Sequence, residues 1–196
     1  MSIPIKILAI SGSTRKQSSN HLLIKALAAL YKERVTIDLY EGLTELPHFN
    51  PDLDMDHRLA PAPVADFRAK IRAADAVLIC TPEYAIGVPG TLKNAIDWTV
   101  SSMEFSKKPV ALITAGTSGY HAHKSLLGTL LIIESRISED MQLVIPAVKT
   151  KINNEPVITH METLLRLEQL MTALITAVHA GEDAEGFLTP PPMNMA

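Results

Sequence analysis

The stretch Ser11-Gly12-Ser13-Thr14-Arg15-Lys16-Gln17-Ser18-Ser19-Asn20 gathers hydroxyls, an amide and an arginine between an apolar run at 5–10 and an apolar-periodic run at 22–30. That is the pattern of a strand, a polar loop and the start of a helix. A helix N-terminus presents unpaired backbone N–H groups and the positive end of its dipole, and both favour an anion. Arg15 adds a forked cation suited to phosphate oxygens. Neither GxxxxGK(S/T) nor GxGxxG occurs here, because Gly12 is the one glycine of the stretch. Hydroxyl donors without close-approach glycines suit a terminal phosphomonoester better than a diphosphate. The competing reading is a serine-rich turn in which Ser18, Ser19 or Asn20 merely caps a helix.

The elements that must hold this loop follow from the hydrophobic pattern. Strand-like apolar runs at 5–10, 35–40, 76–80, 110–115 and 143–148 alternate with helix-period runs at 20–33, 64–74, 89–100, 120–136 and 157–178. Strands apolar on both faces and alternating with helices point to a parallel sheet covered on both sides. The fold class is therefore α/β, a flavodoxin-like doubly wound five-stranded sheet of order 2-1-3-4-5. One domain is expected over residues 1–180, followed by a loose tail at 181–196 containing Gly and Pro. Residues 41–61 form a long connection with Pro47, Pro51 and several acidic residues.

In such sheets a ligand binds outside the carboxyl ends of the strands, near the switch point. The loops after the third and fourth strands should then be chemically unusual, and they are. The third is Thr81-Pro82-Glu83-Tyr84-Ala85-Ile86-Gly87-Val88-Pro89-Gly90, and the fourth is Ala115-Gly116-Thr117-Ser118-Gly119-Tyr120. Such loops offer backbone donors to a flat heteroaromatic ligand, and Tyr84 can supply an aromatic wall.

Composition narrows the function classes. The chain has 196 residues, 47% hydrophobic and 20% charged, as expected of a globular protein with a sizeable core. A net charge of −3 opposes general nucleic-acid binding and is mild for a charge-docking electron carrier. There is no signal-peptide pattern and no apolar run long enough to span a membrane. Cys80 is the single cysteine, which excludes an internal disulfide. The expectation is a cytoplasmic protein without membrane or nucleic-acid partners.

Gly12-Ser13-x-Arg15-x-x-Ser18-x-Asn20, then Pro82-Glu83-Tyr84, then Pro89-Gly90-x-Leu92-Lys93-Asn94-Ala95-Ile96-Asp97-Trp98, resemble the NADPH-dependent FMN reductases, a group that includes quinone, azo-dye and chromate reductases. Many members have Asn where Ala85 stands. The resemblance implies FMN, with Ser13, Arg15, Ser18, Ser19 and Asn20 around its phosphate. It implies Pro82, Glu83, Tyr84 and Ala85 along the ring, largely through backbone. Gly116, Thr117, Ser118 and Gly119 would border the other side. It further implies NADPH or NADH as hydride donor, and a small-molecule acceptor such as free flavin, a quinone, an azo compound or a metal oxyanion. A homodimer or homotetramer is implied, with the 89–100 helix near the subunit contact. A flavin carries the reactive centre itself, so no catalytic side chain is named. The alternative is a non-enzymatic flavodoxin-like electron carrier, which Arg15 and the mild charge oppose.

Other constellations read more plainly. Ser118 cannot sit in a GxSxG elbow, since Tyr120 occupies the last glycine position. His48, Asp52, Asp54, Asp56 and His57 suggest a solvated turn-forming loop before a metal site. His121 and His123 lie two apart on a helix and face different ways. Cys80 suits a buried core position. Trp98 falls off the apolar stripe of its helix, leaving a secondary core and a subunit contact both open. The apolar face at 157–178 suits core cover.

Overall fold

The computed structural model describes residues 4–15, 17–56, 59–181 and 184–192. Five strands form one parallel sheet: β1 (Ile5–Ser11), β2 (Val35–Tyr40), β3 (Ala76–Thr81), β4 (Val110–Ala115) and β5 (Gln142–Ile145), in the order β2-β1-β3-β4-β5. The helices are α1 (Ser19–Tyr31), α2 (Ala62–Ala73), α3 (Gly90–Asp97), α4 (Tyr120–Ile132) and α5 (Met161–His179). Every residue of β3 and β4 is buried, because these strands are covered on both faces. On one face α1 meets α5, where the Tyr31 hydroxyl donates to Glu168 O (3.4 Å). On the other, Arg68 of α2 donates to the carbonyl of Trp98, just after α3 (Nε to O, 2.7 Å). No described helix is long and apolar enough to cross a membrane.

Strand register decides where the loops emerge. Ser11 pairs with Cys80, Thr81 with Thr114, and Ala115 with Ile145. The carboxyl ends of β1, β3, β4 and β5 are therefore level, and their loops leave the sheet side by side. Gly12 extends the ladder one step, its N–H donating to Cys80 O (2.9 Å).

Several boundaries depart from the hydrophobic pattern for identifiable reasons. β5 ends at Ile145 and not at 148, because Pro146 has no N–H for the ladder and Ala147 is left-handed (φ 49°). α4 stops at Ile132 and not at 136. Glu134 is left-handed (φ 65°), Ser135 N–H reaches Leu130 O and Glu134 N–H reaches Leu131 O, which is a Schellman closure without the usual glycine. α5 begins at Met161 with His160 as cap, its side chain accepting from Thr163 N–H. The buried stripe of α1 runs through Leu23, Ile24, Leu27 and Tyr31, so Leu30 is exposed. Met161 and Leu165 of α5 are likewise exposed. Residues 184–192 form no helix or strand, yet Phe187 lies under Arg136 (4.4 Å to the ring centroid) and Leu188 N–H donates to Ile137 O (2.8 Å).

The described part of the 41–61 connection is mostly exposed, as a turn-forming loop should be, but it is tied down at several points. Trp98 is fully buried, and its Nε1–H donates to Pro47 O (2.8 Å). Asn94, one turn earlier, accepts from Phe49 N–H (2.7 Å) and donates to Pro47 O (3.0 Å). Phe49 meets Trp98 edge-on at 5.0 Å. Asn94 and Trp98 are i, i+4 neighbours on one face, so α3 works as a clamp. Asp54 is buried and paired with Arg68 at 2.5 Å, and Ser101 donates to its other oxygen. Its carboxylate is thereby committed, and among the described residues no group of three metal-type ligands forms. His57 lies outside the described residues.

Asn94→Ala removes both hydrogen bonds that Asn94 makes to this connection and strands the Phe49 N–H, so it should lower unfolding free energy by about 1–3 kcal/mol. Denaturant titration measures the loss, and amide exchange should quicken at Phe49. Unchanged stability with unchanged exchange would refute the clamp.

Candidate functional site

The loop after β1 is organised by its own serines. Ser11 Oγ accepts from Ser13 N–H and donates to Ser13 O (both 3.2 Å), while Ser13 Oγ accepts from Arg15 N–H (3.4 Å). Ser18 is the N-cap of α1, its Oγ accepting from Asn20 N–H (3.2 Å). Ser13 and Ser18 each accept one bond and keep a hydroxyl proton to donate. Gly12 lets this loop press against β3. A methyl there would lie 2.1 Å from Thr81 Oγ1 and 2.7 Å from Thr81 Cβ.

These residues open onto a groove of about 330 Å³ at the carboxyl ends of the strands. Ser13, Arg15, Ser18, Ser19 and Asn20 form one wall. Pro82, Glu83 and Tyr84 form another, facing Ala115, Gly116 and Thr117. The two loops run close behind the groove, where a Cβ added at Gly116 would lie 3.6 Å from Glu83 N. The rim is exposed at Tyr84, Thr117 and Arg15. Ala85, Ser118 and Gly119 do not line the groove. Ala85 sits in the turn beyond it. Gly119 is buried at the start of α4 with φ 130°, where a Cβ would crowd Thr114 Cγ2 (3.0 Å) and Val144 Cγ1 (3.3 Å).

Two residues act differently from a simple lining. The side chain of Asn20 is held from both ends: its Nδ2 donates to Ala115 O and its Oδ1 accepts from Cys80 Sγ, each at 3.2 Å. Cys80 is fully buried, and burial pushes its thiol well above the ordinary range, so it stays a protonated donor. Glu83 Oε2 accepts from Ala122 N–H (2.8 Å), supplying α4 with the cap that Gly119 cannot. A further wall comes from the loop after β5, where Ala147, Val148, Lys149 and Thr150 line the groove. Reading β5 through to 148 hides this loop, and Pro146 is the signal that would have exposed it.

Residues 5–148 match the sequence family described as NADPH-dependent FMN reductase. The chain belongs to that family. Among curated relatives, an NAD(P)H-dependent FMN reductase of Pseudomonas aeruginosa is 39% identical over 137 residues, covering 65% of this chain and 72% of the relative. An NAD(P)H:quinone oxidoreductase of Solanum tuberosum is 32% identical over 179 residues, covering 87% and 91%. Among solved structures, a flavoenzyme NAD(P)H:(acceptor) oxidoreductase from Paracoccus denitrificans superposes with a TM-score of 0.73 at 28% identity, covering 89% of this chain and 97% of that one. An archaeal flavodoxin shares the fold alone, with a TM-score of 0.60 at 11% identity over 89% and 99% of the two chains.

In this member of the family a buried histidine supports the groove from below. His121 is exposed, but His123 is buried between β4 and β5. Gln142 Nε2 donates to Glu139 (2.8 Å), which leaves Gln142 Oε1 to accept from His123 Nε2–H (2.9 Å). His123 Nδ1 then accepts from the Thr114 hydroxyl (2.9 Å), next to Ala115 in the groove wall. Burial lowers the pKa of His123, opposed by its bond to Gln142. The folded protein thus holds this ring neutral, while the unfolded chain takes up a proton below pH about 6.5. Stability is fully present above that pH and should fall as pH drops below it, by at most about 1.4 kcal/mol per pH unit from this group. Urea unfolding at pH 7.5 and 5.5 reads the slope. His123→Gln should flatten it, and an identical slope in the variant would exclude His123 as the source.

Proposed function

We propose that the groove binds FMN and that the protein oxidises NAD(P)H, passing the electrons to a small-molecule acceptor. The observation that carries this reading is the division of the groove into two chemically distinct ends. One end has the α1 N-terminus, two hydroxyls with protons to give, and Arg15, which together suit a phosphate dianion. The other is bordered by the adjacent loops Pro82–Tyr84 and Gly116–Thr117, whose backbone groups suit a flat ring lying along them. A mononucleotide with an aromatic head fits that order. When bound, FMN supplies two-electron hydride chemistry at its ring.

The chain's own part is binding and placement. Ser13, Ser18 and Arg15 hold the phosphate. The backbone of Pro82–Tyr84 and of Gly116–Thr117 orients the ring. The exposed rim at Tyr84 leaves one ring face open for donor and acceptor in turn. That open face, with few groups to read a partner, suits an enzyme that accepts several reducible compounds. Assembly as a homodimer or homotetramer belongs to the same proposal, supported by the exposed apolar side chains Val100 and Met103 directly after α3. A cytoplasmic setting is supported by the lone, protonated Cys80.

Arg15→Ala should weaken FMN binding by about 1.5–3 kcal/mol, the range for a hydrogen bond to a charged group. Quenching of flavin fluorescence on titration measures it. Unchanged affinity would remove the loop after β1 from the phosphate site. Protein that stays colourless with FMN and oxidises neither NADPH nor NADH would overturn the reading as a whole.

A further inference from the structure

The loops after β4 and β5 are joined edge to edge. Ala147 N–H donates to Thr117 O (3.3 Å) and Val148 N–H to Gly116 O (3.1 Å). Each loop faces the groove with one part and a second cavity with another. Gly116 and Thr117 line the groove, whereas Tyr120, three residues on, lines the cavity. Ala147–Thr150 line the groove, whereas the flanking Pro146 and Lys151 line the cavity. The cavity measures about 180 Å³ and closes on the cap and first two turns of α5, with His160, Glu162 and Arg166 in its wall.

Its chemistry is specific. Lys151 and Arg166 converge there, and neither forms an ion pair with a described carboxylate. His160 is occupied by the cap of α5 through Nδ1, which leaves Lys151 and Arg166 as the cavity's cations. Glu162 contributes one opposing charge. Tyr120, 61% exposed, gives the same cavity an aromatic face. In a chain of net charge −3, this is a local excess of positive charge against the general balance. A cavity lined by an aromatic face and two cations suits a purine carrying a phosphate: the ring stacks, and the forked guanidinium with the ammonium meets the dianion.

We propose that this cavity receives the adenosine 2′-phosphate end of NADPH, making Lys151 and Arg166 the residues that select NADPH over NADH. The inference rests on the groove being the flavin site. The hydrogen-bonded pair of loops then forms one continuous wall from the nicotinamide end of the donor to its adenosine end.

Calorimetry on the FMN-loaded protein with adenosine 2′,5′-bisphosphate and with adenosine 5′-monophosphate tests it. The bisphosphate should bind at least about tenfold more tightly, as for a charged hydrogen bond gained. Lys151→Ala and Arg166→Ala should each bring that ratio towards one. Tyr120→Ala should weaken both nucleotides alike and keep the ratio. In steady-state kinetics the ratio of kcat/KM for NADPH to that for NADH should fall about tenfold in the two charge variants. A wild-type ratio near one, a ratio that survives both charge variants, or displacement of the bisphosphate by equal inorganic phosphate would each overturn the proposal. Failure of the flavin reading has a different signature, since a colourless protein inactive with both donors can still be titrated with the two nucleotides.

Discussion

The carboxamide of Asn20 is the point on which the site depends. One side chain at the start of α1 joins the end of β3, through Cys80 Sγ, to the end of β4, through Ala115 O. It is 97% buried, so water cannot replace either bond. Losing one would leave an unsatisfied polar group at a cost of about 1–3 kcal/mol, beyond the roughly 1 kcal/mol a bond contributes directly. Local geometry adds to that constraint. Gly12 must lie against Thr81, with no room for a methyl, if α1 is to start where Asn20 can reach both strands. The backbone N–H of Asn20 is meanwhile consumed by the Ser18 cap. Both ends of the Asn20 side chain are thus committed to bracing, whereas its neighbours Ser13, Ser18 and Arg15 keep donors to give.

Size does not single out this groove; chemistry does. A larger one, about 630 Å³, lies between β2 and α2. Its lining carries more carboxylates than ammonium groups. Lys70 pairs with Asp66 at 2.6 Å and stands over the Tyr40 ring at 5.5 Å, and Glu41 and Glu45 add acidic walls that repel phosphate. Burial first, then Asp66 and Glu45, push the Tyr40 phenol up to about 12, so it stays protonated. The smaller groove differs in having hydroxyl protons, a helix N-terminus and a cation without committed partners. It also sits at the level ends of the four strands β1, β3, β4 and β5, where a doubly wound sheet places its ligand.

The sequence revealed much of this arrangement because its signals are local. Five apolar runs alternating with helical periods point to a doubly wound parallel sheet, and the hydroxyl-rich and glycine-containing loops identify the sheet edge that carries the groove. Features that depended on distant partners were hidden. Trp98 left a secondary core and a subunit contact equally open, and its burial follows only from the carbonyl of Pro47, 51 positions away. Asp54 looked like one of several loop acids until Arg68 took it. The C-terminus of α4 carries no glycine, so its closure through Glu134 was invisible. The loop after β5 was concealed by extending that strand past Pro146. Each miss substitutes a local propensity for a constraint set by tertiary contact, and tertiary contact wins.

One strained turn lies where the groove meets solvent. Tyr84 and Gly87 exchange both backbone hydrogen bonds, at 3.0 and 2.9 Å, and close a tight turn over Ala85 and Ile86. Both central residues are left-handed, with φ of 49° and 62°. Positive φ at both positions is the geometry of a type I′ turn, which favours Asn and Gly. Ala and a β-branched Ile in those places cost about 1–2 kcal/mol each. Nothing in the core requires Ile86, which is 69% exposed. The turn is held by its surroundings. Glu83 is anchored to α4 through Ala122 N–H, and Pro89 fixes the start of α3 at the other end. A turn closed by two hydrogen bonds and anchored on either side can keep an unfavourable backbone that a free loop would relax. The rim at Tyr84 is thereby held rigid beside an open groove, where a flat ligand needs one firm wall and one accessible face.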